Sequence, residues 1–182
     1  VDYVFEPDQV TDSAIDEAEG VRHVLRSLIK ASLATFENSD AQYPELGWFH
    51  PSKMGLDNPD AFYQSAPVDL HHTYELSGNV GSVAYFGIAL MSMSWGTGEV
   101  EMLRSINVAE LAPDEHGDFL VTLSSHADPG DTGHPWFQLP EKRTSLLVRQ
   151  FLSDWETEEV ARMSLRCVDP DPVQSRISPD EL

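Results

Sequence analysis

The chain reads as mainly β with α, an antiparallel β-sandwich of jelly-roll type led by one N-terminal amphipathic helix. Three observations predict this. Apolar residues recur at helical spacing only near the N-terminus. From about residue 60 onward the period becomes two. Turn-forming residues separate the alternating runs, with no helical period between them.

The helix comes first. Thr11-Asp12-Ser13 offers hydroxyl and carboxylate caps, and Asp16 and Glu17 follow in the first turn, where acids suit the positive helix end. Ile15, Ala18, Val21, Leu25, Leu28, Ile29, Leu33 and Phe36 then fall on one face, which predicts a helix from about Ser13 to Phe36. Gly20 weakens it by about 1 kcal/mol relative to Ala. Val21, Leu25, Leu28 and Ile29 are expected to dock on a sheet. The segment from Glu37 to Asp60 is loop-like, but Tyr43, Leu46, Trp48 and Phe49 predict that it packs onto the core.

The strands follow. His72, Tyr74 and Leu76 alternate with Thr73, Glu75 and Ser77, and Gly78-Asn79-Val80-Gly81 reads as a turn. Ser82 to Met91 is apolar on both faces, as a doubly covered central strand is. Ile106 to Leu111 and Asp118 to Ser124 flank Pro113-Asp114-Glu115-His116-Gly117, which predicts a hairpin. Thr144 to Leu152 is a further strand. In the last, Ala161, Met163, Leu165 and Cys167 face one way and Arg162, Ser164 and Arg166 the other. The organisation is then a lead-in and aromatic loop over 1–60 packed on the sheet, a sandwich over 61–170, and a linker over 171–182. Ser178-Pro179-Asp180-Glu181-Leu182 resembles the start of a further helix, so a fragment of a longer chain is expected.

Charge narrows the partners. The 31 Asp and Glu residues against 11 Lys and Arg give a net charge of -20, which repels nucleic acid and anionic membranes alike. The longest apolar run, Val83 to Met93, is too short to span a bilayer. Cys167 is the only cysteine, so no internal disulfide forms and a reducing, cytoplasmic setting is favoured.

Two separated segments carry a family resemblance. Gly55-Leu56-Asp57-Asn58-Pro59-Asp60 with Tyr63 leads into Tyr74-Glu75-Leu76-Ser77-Gly78-Asn79-Val80-Gly81. Later come Leu147-Val148-Arg149-Gln150-Phe151 and Asp154-Trp155-Glu156-Thr157-Glu158-Glu159. Together with the Leu25/Leu28 helix and the approach from Trp136 to Leu139, they resemble the family called domain of unknown function 1214. That resemblance implies a jelly-roll-like sandwich flanked by helices. It implies no activity and no catalytic residues.

The polar residues allow competing readings. Asn58-Pro59-Asp60 with Tyr63 suits a structural turn entering a strand; it also suits an oxygen-lined rim for a cation or a sugar hydroxyl. His71 and His72, being adjacent, point to opposite strand faces and cannot easily share a metal. His126 and His134 share a loop with Asp128 and Asp131, a ligand set compatible with zinc or iron, although no spacing requires a metal. Arg149 within an apolar strand requires a partner, either Asp60 or Glu158 as a structural ion pair or a ligand carboxylate. Cys167 reads as a core residue.

The leading expectation is a small-molecule or carbohydrate-binding sandwich without catalysis, because Trp48, Tyr63, Trp95 and Trp136 sit near turns and suit stacking on sugar faces. The expected ligand-binding set is Asn58, Asp60, Tyr63, His72 and Arg149 around one concave region, with Asp60 and Arg149 at its centre. No cofactor or metal is assigned. The alternatives are a hydrolase or lyase using Asp60 or His72 as acid–base groups, and an oligomerisation domain forming a homo-oligomer. The acidity carries its own prediction. Self-repulsion should lower the melting temperature at low ionic strength, so melts should shift upward from low to moderate salt. A melting point unchanged or lowered by salt would contradict this.

Overall fold

A computed structural model describes residues 13–48, 58–94, 99–126, 130, 133–142 and 144–169. The chain order is α1 (Ala14–Ser32), a π-helical turn (Leu33–Glu37), β1 (Gly47–Trp48), β2 (Ala61–Val68), β3 (Tyr74–Asn79), β4 (Tyr85–Ser94) and β5 (Glu99–Asn107). Then follow α2 (Val108–Leu111), β6 (Asp118–Ser124), β7 (Trp136–Gln138), β8 (Thr144–Phe151) and β9 (Arg162–Cys167). One sheet runs β1-β2-β8-β4-β5 and the other β7-β6-β3-β9. Every pairing is antiparallel except β6 with β7. The sandwich with its leading helix is the fold class that the alternating pattern predicts.

The core lies between the sheets. Ala66, Val68, Ile88, Leu90, Leu146 and Val148 from one sheet meet Tyr74, Leu76, Val121, Leu123 and Leu165 from the other. In β8 every second residue from Thr144 to Gln150 is buried, because a pleated strand sends alternate side chains to opposite faces. Gln150 is the polar member of that inward row. It is 1% exposed, and its amide grips one residue of the opposite sheet. Nε2 donates to the Ala161 carbonyl at 3.1 Å, and the Ala161 N–H donates to Oε1 at 2.7 Å.

Three local expectations are corrected. The segment from Ile106 to Leu111 is not a strand, since β5 ends at Asn107 and α2 begins. The cause is legible in the spacing Asn107-x-x-Glu110. Asn107 Oδ1 accepts the Glu110 N–H at 3.2 Å, and Glu110 Oε2 accepts the Asn107 N–H at 3.0 Å, which closes a capping box. The turn at 113–117 does not join hairpin partners, because β5 and β6 lie in different sheets. Asp114 holds it by accepting the N–H groups of His116 and Asp118, and Gly117 takes φ +84°. His72 belongs to the turn before β3 rather than to the strand.

A fourth correction concerns the lead-in. Ser13 caps α1 through a contact from the Asp16 N–H at 3.5 Å, but no residue of α1 is buried. Val21, Leu25, Leu28 and Ile29 all stand in solvent, Leu28 at 62% exposure. The Lys30 ammonium donates to the Trp48 carbonyl, tying the helix to the start of the sheet. In the loop, Leu46 packs on the core while Tyr43 and Trp48 are exposed. Phe49, Asp57 and 170–182 lie outside the described residues.

Burial therefore reverses the stability expectation for the helix. Leu28→Ala should change unfolding free energy by less than about 0.5 kcal/mol. Gln150→Leu should lower it by about 2–6 kcal/mol, because the buried N–H and C=O of Ala161 each lose a partner at about 1–3 kcal/mol. Denaturant titration of both variants checks the contrast, and equal effects would refute it.

Candidate functional site

β2 divides the residues expected to form one site. Its pleat sends Phe62 and Gln64 to the inner face, in register with Gln150 and Val148 of β8, and Tyr63 to the outer face opposite Arg149. Asp60 sits just before the strand. Its carboxylate accepts the Trp155 indole N–H at 3.1 Å, and its carbonyl accepts the Leu152 N–H at 2.8 Å. Asn58 Oδ1 accepts the Asp60 N–H at 2.9 Å. This is the structural turn that the Asn-Pro step suggested.

On the outer face Tyr63 meets Phe151 edge-on at 6.3 Å, and Phe151 meets Tyr85 at 5.2 Å. The Tyr85 hydroxyl occupies the space that a Cβ on Gly87 would need, and Gly87 is the other register neighbour of Arg149. Arg149 Nε is buried there with no hydrogen-bond partner. The ion pair expected for it is not formed with either candidate among the described residues. Asp60 turns to Trp155, and Glu158 instead accepts the N–H groups of Ala84 at 3.2 Å and Ser153 at 3.0 Å. Asp60 and Arg149 thus form no ion pair with each other, which removes the contact expected at the centre of the site.

A concave feature lies on the inner side, where the β1–β2 edge of one sheet and the β9 edge of the other leave the sandwich open. A cavity of about 330 Å³ is lined there by Trp48, Gln64, Val160, Ala161, Arg162 and Met163. Trp48 packs edge-on against Phe62 at 5.5 Å, and Phe62 against Trp155 at 5.1 Å. Two exposed indoles therefore flank one ring, with Asp60 holding the outer one. Gln64 donates one amide N–H to the Leu46 carbonyl at 3.4 Å. The far wall is rigid for two reasons. Gln150 grips Ala161, and β3 approaches β9 so closely that a Cβ on Gly78 would collide with the Arg162 carbonyl. Trp48, Gln64 and Arg162 thus bring an indole, an amide and a guanidinium to one cavity.

His72 is elsewhere. It follows β2 at the end opposite Asp60, and the eight residues of β2 span roughly 23 Å at about 3.3 Å per residue. This corrects its grouping with the other four residues and separates the two acid–base candidates. Its Nδ1 lies 2.9 Å from Asp169 Oδ2, which also accepts the Thr73 N–H at 2.9 Å. Cys167 Sγ is 3.8 Å from the same oxygen. Asp169, half-buried, has its pKa opposed by burial, yet the Thr73 N–H and the His72 hydrogen bond prevail and hold it below the ordinary carboxylate value. The Cys167 thiol is pushed up, chiefly by burial. Tyr74 joins the turn to the loop: its buried hydroxyl accepts the Asp69 N–H and donates to the Ala41 carbonyl, both at 2.9 Å.

The loop that carries His126 and His134 is only partly described. His134 Nε2 pairs with Thr122 Oγ1 at 2.8 Å, and Asp128 and Asp131 lie outside the described residues, as does Trp95. Gln150, Trp155, Arg162 and Asp169 were not singled out as site residues. Trp155 and Gln150 stood inside the quoted motifs, whereas the pairing of His72 with Asp169 spans 97 positions and leaves no local signal.

Comparison with known proteins adds the following. No family model and no curated protein matches the sequence. The crystal structure of an uncharacterised protein from Burkholderia cenocepacia superposes with a TM-score of 0.79 at 28% identity, covering 98% of this chain and 48% of that one. The VPA0106 protein from Vibrio parahaemolyticus gives a TM-score of 0.47 at 14% identity over 90% of this chain and 46% of that one. The chain thus spans about half the length of the solved structures it matches. Among the described residues, no helix is long and apolar enough to cross a membrane.

The lowered Asp169 carboxyl predicts an acid limb. A depressed folded-state pKa contributes stability that is complete above the unfolded value near about 3.9 and is lost as pH falls through the folded value. Asp169→Asn should therefore be less stable than the parent at neutral pH and should flatten the stability profile below about pH 4. Urea midpoints from pH 3 to 7 check this, and parallel profiles would refute it.

Proposed function

We propose that the chain is a small-molecule-binding β-sandwich, and that its ligand occupies the cleft between β1–β2 and β9. The observation that carries this reading is the cavity of about 330 Å³ lined by Trp48, whose indole packs edge-on against Phe62. An exposed indole beside a glutamine amide and a guanidinium suits a ligand with one flat apolar face and several hydroxyls, as in a short oligosaccharide. The net charge of -20 disfavours strongly anionic ligands. Asn58 and Asp60 then serve as the turn that fixes Trp155 against Phe62, which packs on Trp48. Tyr63 and Arg149 act from the opposite face, by holding the strand. The resemblance to the domain of unknown function 1214 family is compatible with this reading and supplies no rival activity.

Indole fluorescence reads the site directly. A neutral oligosaccharide that binds the parent protein should bind Trp48→Ala at least about tenfold more weakly, the loss expected of a central aromatic contact. Trp136→Phe, remote from the cleft, should retain parental affinity. A panel of neutral oligosaccharides that leaves the parent fluorescence unchanged, or binding indifferent to Trp48→Ala, would refute the reading.

A further inference from the structure

We propose that His72, Cys167 and Asp169 form a binding site for a divalent transition metal, zinc(II) above all. The three residues come from two segments that meet where β3 starts and β9 ends: Tyr74 and Cys167 are register partners, and the Val168 N–H donates to the Thr73 carbonyl at 2.9 Å. One ligand atom from each residue lies within 4.8 Å of the other two. Two of the separations are 2.9 Å, from imidazole Nδ1 to carboxylate Oδ2, and 3.8 Å, from sulfur to the same oxygen. Tetrahedral zinc with bonds of about 2.0–2.3 Å sets its ligands roughly 3.3–3.8 Å apart. Small side-chain rotations therefore convert the hydrogen-bonded cluster into a coordinating one.

The chemistry of the set points the same way. A thiolate, an imidazole and a carboxylate are the three donor types that zinc accepts together, whereas magnesium and calcium prefer oxygen alone. Charge also balances. Zinc(II) with one thiolate and one carboxylate is neutral, which suits a half-buried position. His72 and Asp169 side chains are 28% and 24% exposed. The Thr73 N–H to Asp169 Oδ2 supplies the outer hydrogen bond that orients a ligating carboxylate. Three protein ligands leave a fourth position for water or a small anion. Binding replaces the Cys167 proton with the metal, so one proton is released per zinc wherever His72 is neutral. The cluster lies at the opposite end of β9 from the Ala161–Met163 wall, so it stands apart from the proposed ligand cleft.

Cys167 is the sole cysteine, which makes its reactivity a clean readout. One equivalent of zinc(II) should slow alkylation of Cys167 by iodoacetamide at least about tenfold, and the apparent affinity should rise about tenfold per pH unit while the thiol is protonated. Cobalt(II) should give a thiolate-to-metal charge-transfer absorption that Cys167→Ser abolishes. His72→Ala and Asp169→Asn should each weaken zinc at least about tenfold. Circular dichroism identifies any variant that fails to fold, and protection of the parent thiol tests the site without a variant. Zinc bound with Cys167 still fully reactive, or cobalt bound without the charge-transfer band, would mean adventitious binding by surface imidazoles and carboxylates, and would overturn the proposal.

Discussion

The sandwich depends on a two-point amide contact between its sheets. Gln150 stands in the inward row of β8, where its neighbours are Val148 and Leu146, and it satisfies both backbone groups of Ala161. A buried glutamine is costly unless its amide is fully used. Here it is used on one residue, which makes the contact directional as well as favourable. The amide sets where β9 begins relative to β8. It therefore places Val160 to Met163 as one wall of the cleft and, five residues past Arg162, Cys167 beside the turn that carries His72.

The pleat imposes the second constraint. Because Phe62 and Tyr63 are adjacent on β2, their side chains cannot share a face. Everything that follows at this end of the molecule comes from that alternation. Phe62 joins Trp48 and Trp155 at the open edge, with Asp60 fixing the indole of Trp155. Tyr63 joins Phe151 and Arg149 on the other side. The outer face then holds a buried guanidinium Nε without a hydrogen bond, in register with Tyr63 and Gly87.

Much of the fold was legible because it rests on local periodicity. The one-sided pattern of Ala161 to Cys167 and the alternation of Thr144 to Gln150 report directly which face is inward. Asn107-x-x-Glu110 was legible as a capping box too, but the flanking Ile106, Val108 and Leu111 suggest a strand. Local hydrogen bonding decided that contest in favour of helix. The candidate site was legible only in pieces. Asn58-Pro59-Asp60 reads correctly as a turn, whereas Trp48, expected to pack onto the core with its loop, is exposed. Which indole stands beside which ring was not legible, since Trp155 and Phe62 are 93 positions apart in the chain yet 5.1 Å apart in space.

By itself the sequence determined the two periods, and with them a leading amphipathic helix and a set of alternating strands. It also determined the acidity and the single thiol, because these are properties of composition. Only the tertiary structure decided that α1 leaves its apolar stripe in solvent, that Asp60 turns to Trp155 rather than to Arg149, and that His72, Cys167 and Asp169 converge. The physical reason is that periodicity reports which residues share a face of one element. Which elements meet is set by pairing and packing across long loops, and those contacts leave no periodic trace in the chain.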